Sequence, residues 1–457
     1  MKSSKFTSTP LFPRQALVAL LLPLIAEQAL SVTIGLADTL MVSSVGEAAV
    51  SGVSLVDSFN TLMIQIMSAL ATGGAVVTSQ YIGHQEPKNA KAAAAQILFV
   101  LSSFSVLVAA VVIGGRHAIL RGIFGSIDAD VMHYAETYFL LSALSYPFIG
   151  LYNAGAALFR AQGNSKISML SSLVMNVVNI GGNAVLIYGF GMGVMGAALA
   201  TVLSQVASAV LTLRCIVGSQ GMPWHIRTEK LRLHGDVFAA ICTIGVPAAA
   251  QSAMYNISNM FIQSSMNSFG TSTIAAWGVY GKIDFVFWMT INSLGIAITT
   301  FAGQNFGARQ YDRVRRGVRV CLAMAACTTL VISFTFYNLA EVLFRLFSQD
   351  DAVVAVGVGM MHVLTPVYIT YVCIEVLAGA LRGCGDVRVP TLITVFFVCG
   401  LRMLWLFIAV PIRHEVATVE MSYPITWSLA SALFILYYVK GGWMQRCAEK
   451  WEKKQAG

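Results

Sequence analysis

Twelve runs, each long enough and apolar enough to cross a bilayer, follow one another along this chain. They lie at about 15–42, 51–81, 92–113, 131–157, 167–190, 194–213, 237–266, 272–303, 317–344, 352–381, 389–411 and 416–439. Inside a membrane no water is present to satisfy peptide groups, so such runs must close their own hydrogen bonds as helices. They are too long for the strands of a barrel. Only 11% of the 457 residues are charged and 57% are hydrophobic, whereas soluble domains carry about 25% charged residues. A soluble enzyme and a disordered chain are both excluded. The run that begins after Lys2, Lys5 and Arg14 continues past Pro23 and Glu27 without a small-residue cleavage site, and is expected to be a first span, not a cleaved leader.

The loops set the orientation. With the N-terminus inside, 23 of the 29 Lys and Arg residues fall in inside segments, four in outside segments (Arg116, Arg121, Arg345, Arg413) and two, Lys282 and Arg402, within spans. That asymmetry predicts both termini in the cytoplasm, at the inner membrane of a prokaryotic cell. The net charge of +8 then reflects cytoplasmic loops, and no nucleic-acid partner is expected. All eight cysteines lie in the second half, mostly within apolar runs and with no CxxC, so neither a disulfide nor a metal site is expected.

The chain is duplicated. A shift of 224 places Pro23 on Pro247, Ala26 on Ala250, Gly46 on Gly270, Gln80 on Gln304 and Gly83 on Gly307. A shift of 222 pairs Arg160 with Arg382, Gly163 with Gly385 and Lys166 with Arg388. The expected organisation is a cytoplasmic tail (1–14), an N-lobe (15–213), a linker (214–236), a C-lobe (237–439) and a second tail (440–457). Each lobe holds an even number of spans, so the two have the same orientation: an all-α integral membrane protein with twelve transmembrane helices in two parallel-related six-helix lobes. Parallel repeats of this kind enclose a cleft that opens to alternate sides, the architecture of secondary transporters. No phosphate-binding loop, HExxH or GxSxG motif is present, so neither ATP-driven transport nor an enzyme is expected.

Four segments resemble the MATE family, the multidrug and toxic compound extrusion transporters. They are PLIAEQALSVTIGLADTLMVSSVGEAAVSGVSL, the pair SQYIGHQEPKNAK and GQNFGARQYDRVRRG, the pair FRAQGNSK and LRGCGDVRVP, and NVVNIGGNAVLIYGFGMGVMGAALAT. The resemblance spans nearly the whole chain. It implies export of amphipathic, cationic compounds in exchange for H⁺ or Na⁺, with no other cofactor. The expected partners are small-molecule substrates and membrane lipid, with the protein acting as a monomer. The alternative is a flippase of lipid-linked saccharides or lipids with a related two-lobe fold. Its cavity should be basic, whereas five of the seven charges inside the spans here are acidic. NorM-like members carry acids where this chain has Tyr255 and Tyr371, so their acidic C-lobe cation site is not expected.

The seven intramembrane charges are Glu27, Asp38, Asp57, Lys282, Asp284, Glu375 and Arg402. Each costs about 2.5–3.5 kcal/mol at mid-bilayer and needs a partner, a proton or a water-filled cavity. Glu27 and Asp38 are eleven residues apart, so they share a helix face about 16 Å apart, with Glu27 near mid-membrane. Asp38 is the coupling group that both this physics and the resemblance select. Glu27, Asn179 and Asn183 are further coupling candidates, and Asn176 lies on the same helical stripe. Glu27, Asp57, Tyr255 and Tyr371 are candidates for the substrate cavity, and Pro23 for a hinge. Lys282, Asp284, Glu375 and Arg402 are expected to form ion pairs, Arg402 with Glu375 or Asp284.

Overall fold

Every run that must hide its peptide groups from lipid is helical in the computed structural model, which describes residues 14–125, 128–218 and 235–456. Lys2, Lys5, Arg227, Lys230 and Arg232, and with them most of the expected linker, lie outside the described residues. The first half comprises α1 (Arg14–Val42), α2 (Glu47–Gly83), α3 (Pro87–Phe124), α4 (Ala129–Ala161), α5 (Lys166–Asn183) and α6 (Gly193–Gly218). The second begins with α7 (Gly235–Asn267), α8 (Thr271–Gly307) and α9 (Tyr311–Asn338), followed by the short α10 (Ala340–Arg345). The expected tenth span is broken at Pro366 into α11 (Asp351–Leu364), a 3₁₀ turn (Thr365–Val367) and α12 (Tyr368–Gly383), because proline cannot donate to the helix interior. The eleventh is α13 (Arg388–Ile393), a π-helix (Thr394–Gly400) and α14 (Leu401–Ile412), and the twelfth is α15 (Val416–Glu420) with α16 (Ser422–Lys440). The basic C-terminal tail forms α17 (Trp443–Ala456), which buries Trp443 and Met444.

Eleven helical segments among the described residues are long and apolar enough to span a membrane. The remaining expected span, 131–157, is α4. At 33 residues it has the length but not the apolarity, and 18 of those residues are buried. A helix enclosed by its neighbours, here α2, α3 and α6, need not match lipid and can carry Ser142, Ser145, Tyr146, Tyr152 and Asn153 inward.

The chain divides into two compact units, Val18–Ala249 and Ala250–Gly457, the latter joined by the start of α1 up to Leu17. The division falls within α7, two residues after Pro247, and not in the linker where the sequence alone divides. The first half of α7 groups with the first unit, where a Cβ on Gly73 of α2 would lie 2.7 Å from the Gly245 nitrogen.

In the second unit α8 and α12 pack backbone to backbone. Gly379 and Gly383 are four apart on α12, facing Gly295, Thr299 and Gly303 on α8, and the Thr299 hydroxyl donates to the Gly379 carbonyl at 3.0 Å. Small residues at this spacing let helices associate in lipid, where no hydrophobic effect drives them together. A Cβ on Gly383 would lie 2.4 Å from the Thr299 carbonyl oxygen. Because that obstacle is backbone, Gly383→Ala is expected to destabilise by about 1–3 kcal/mol, read as a lower melting temperature in detergent. An unchanged melting temperature would show that the two helices have slack.

Candidate functional site

The first unit holds two separate acidic centres along α1. Asp38 is 5% exposed and accepts a hydrogen bond from the Asn183 amide at the end of α5. Asn183 reaches Asn179 at 3.4 Å, and Asn179 donates to the Thr201 hydroxyl on α6 at 3.3 Å. Both asparagines are fully buried, and the Asn183 Oδ1 has no hydrogen-bond partner. Asp57 on α2 interacts electrostatically with Asp38 and lies within hydrogen-bonding reach of Tyr138 and Asn60, and Asn60 also accepts from Tyr146 at 2.7 Å. Residues from α1, α2, α4, α5 and α6 thus converge on one polar cluster. Directly after Asn183 the chain winds as a π-helix, Ala184–Gly189. Such turns recur at functional sites because they re-aim the side chains beside them.

Glu27 belongs to a different centre. Its carboxylate is 2.9 Å from the Arg160 guanidinium, and it accepts from the Ser168 hydroxyl at 2.7 Å and the Tyr152 hydroxyl at 3.2 Å. Arg160 ends α4 and Ser168 opens α5. Glu27 therefore sits level with those helix ends. It shares with Asp38 the helix face toward α5, as the eleven-residue spacing requires, but it already has a cationic partner. Pro23 lies within α1, which continues through it as one helix.

The second unit corrects the expected ion pairs. Arg402 is 2% exposed, and no carboxylate among the described residues lies within 4.0 Å of it. Its guanidinium packs 4.3 Å from the Tyr423 ring and 5.9 Å from the Trp427 ring. Lys282 is exposed, with its ammonium 5.8 Å from the Phe347 ring. Asp284 accepts from the Tyr368 hydroxyl at 2.5 Å and the Trp288 indole at 2.6 Å, and Tyr280 meets Tyr368 at 3.0 Å. Glu375 sits against Gly295 and is 3.4 Å from the Tyr371 hydroxyl. These charges meet aromatic and hydroxyl neighbours where the sequence suggests ion pairs. In lipid, a ring face or a phenol can offset part of the insertion cost without a counter-ion.

Tyr255 and Tyr371, 116 residues apart, meet through their hydroxyls at 3.1 Å. Trp288 packs edge-on to Tyr371 at 4.8 Å, and Trp427 lies 5.1 Å from Tyr371 and 6.0 Å from Trp288. An aromatic cluster drawn from α7, α8, α12 and α16 therefore stands between Asp284 and Arg402. Its members are scattered among 25 Phe, 15 Tyr and 7 Trp, and no spacing in the sequence singles them out. Glu420 on α15 is a further buried acid of this unit.

The same duplication appears when the chain is compared with protein families. The MatE family model matches residues 23–185 and again 247–408, each match opening on one of the paired prolines. The chain belongs to the MATE family. That is a family of multi-pass membrane transporters, not of enzymes. Among its relatives is the probable multidrug resistance protein YoeA of Bacillus subtilis, 26% identical over 405 residues, which cover 85% of this chain and 86% of that one. The probable multidrug resistance protein NorM of Thermotoga maritima is 22% identical over 95% of this MATE chain and 94% of its own. A solved MATE structure in a bent conformation superposes with a TM-score of 0.88 at 18% identity, covering 98% of both chains. The fold is therefore the all-helical MATE fold.

Proposed function

We propose that this MATE protein is a cation-coupled antiporter. In this reading it exports amphipathic, cationic small molecules across a prokaryotic inner membrane in exchange for H⁺ or Na⁺, as a monomer and without a further cofactor. The multidrug resistance names of its relatives support the substrate class. The observation that carries the coupling role is the setting of Asp38: a buried carboxylate, bonded to Asn183, with the Asn183 Oδ1 unpartnered beside it. Carboxylate, amide and hydroxyl oxygens suit a hard monovalent cation. A carboxylate can also take up a proton in place of a metal cation.

In the cycle, Asp38 is ion-free when substrate binds. Arrival of H⁺ or Na⁺ neutralises it, weakens the hold on a cationic substrate and biases the exchange of access from one side to the other. Such a bias can be no larger than the ion's differential affinity for the two states. Reconstitution into liposomes with a cationic dye and imposed Na⁺ or pH gradients tests this directly. Dye movement that follows neither gradient would sink the coupled reading.

The loop charges add an expectation about orientation. Single cysteines at positions 225 and 450 in a cysteine-free background should be shielded from an impermeant maleimide added to intact cells, and one at position 48 should react. The reverse pattern would invert the assigned orientation.

A further inference from the structure

The aromatic cluster of the second unit contains hydrogen-bond donors that have nothing to donate to. The Arg402 Nε, the Trp427 indole nitrogen and the Ser422 hydroxyl are buried and have no partner. Their residues are 2%, 2% and 0% exposed. All three belong to one small region. Ser422 lies one turn before the adjacent Thr426 and Trp427 on α16, the Arg402 guanidinium lies 5.9 Å from the Trp427 ring, and its Nη2 reaches the Thr426 hydroxyl oxygen at 3.5 Å. The Thr426 hydroxyl gives its own proton to the Ser422 carbonyl at 2.7 Å, so it can only accept from the guanidinium.

Stacking on Tyr423 covers the face of the guanidinium but not the N–H groups in its plane. Buried donors in native structures nearly always find an acceptor. Here the Nε of a charged guanidinium and two neutral donors lack one together. Asp284 and Glu420 act electrostatically on Tyr423 as Arg402 does, yet neither carboxylate reaches Arg402. The π-helix Thr394–Gly400 ends two residues before Arg402. Its wider turn shifts the face on which the following residues fall, which places Arg402 in this cluster.

We infer that Arg402, Trp427 and Ser422 form an anion-accepting site in the second unit. It takes an oxyanion, and the aromatic rings beside it suit the body of an aromatic compound. The anion is either the carboxylate of an exported compound or a free small anion bound during the cycle. The carboxylate source rests on the export reading above, whereas the anion chemistry does not. If it is a carboxylate, the substrate range includes zwitterions, their cationic group held elsewhere.

Binding tests this without any gradient, on the purified full chain in detergent, followed by tryptophan quenching. The probes are 2-naphthoate, its uncharged amide, sodium formate and sodium chloride. Wild type should bind naphthoate about tenfold or more tightly than the amide, the scale of a hydrogen bond to a charged group. Arg402→Met should erase that preference with amide binding unchanged. Arg402→Lys should keep part of it, which guards against a misfolded Met variant. Trp427→Phe should weaken naphthoate more than the amide, because only the carboxylate loses a donor as well as ring contact. Displacement of naphthoate by equimolar formate or chloride would assign the site to a free anion; failure of both to compete would assign it to a substrate carboxylate. Equal binding of naphthoate and amide to the wild type, with no effect of formate or chloride, would overturn the site and leave the three donors to water. A protein that discriminates the carboxylate but moves no dye in liposomes would retain the site and lose the export reading.

Discussion

Asp38→Asn is expected to fold, insert and purify like the wild type, and to lose gradient-driven export down to the leak rate of empty liposomes. Asparagine keeps the shape of the side chain and can still bond to Asn183, whose amide is the partner of Asp38. What it cannot do is carry a charge or bind a proton. If H⁺ is the coupling ion, the variant also loses pH-dependent release of bound dye at equilibrium. If Na⁺ is the ion, it loses Na⁺-dependent release while its pH response changes little. Equilibrium dye binding across pH, with and without Na⁺, beside liposome efflux, separates these cases. Wild-type efflux with unchanged ion dependence in Asp38→Asn would remove Asp38 from the mechanism, and the neighbouring Asp57 would become the group to examine.

The second large effect is structural and concerns Glu27. Its side chain and that of Arg160 are 7% and 11% exposed, 2.9 Å apart. Removing one member of a buried pair strands the other, at a cost of about 3–5 kcal/mol. Glu27→Leu and Arg160→Met are each expected to lower expression and the melting temperature in detergent by a wide margin. The double variant should recover much of the loss, since an apolar replacement of both partners is often close to neutral. Recovery will be incomplete, because Ser168 and Tyr152 also lose the acceptor they share. Additive losses would mean the two residues act independently. If instead Glu27→Leu kept full stability but lost ion-coupled efflux, Glu27 would return to the coupling site.

The two variants divide the acidic face of α1 by role. Both carboxylates face α5, and both are buried. The one beside Arg160 is already neutralised by the protein. The one beside Asn183 has no cationic partner among the described residues, which in the export reading leaves it to the coupling ion. Distance from a basic side chain, not depth along the helix, distinguishes them.

Much of this protein is fixed by local composition. The spans, their helical form, the duplication and the orientation expected from the loops follow from apolar length and charge placement, because a bilayer leaves a backbone so few choices. Asp38 is marked out by an acid's cost in an apolar run together with the family resemblance. The partners of each charge are not. Arg160 reads in the sequence as a basic residue at a helix end, and only the packing of the helices brings it to Glu27. Arg402 was expected beside an acid and instead lies on Tyr423, while Asp284 is held by Tyr368 and Trp288. Tyr255 and Tyr371 meet across 116 residues of sequence. Helical periodicity tells which way a side chain faces along its own axis, but not which helix stands opposite. In lipid that choice rests on close backbone contacts such as Gly383 on Thr299, on the break at Pro366 and on π turns that rotate a face by part of a turn. These are properties of packed helices, and they decide which acid meets a base, which meets an amide and which base lies on a ring with no carboxylate beside it among the described residues.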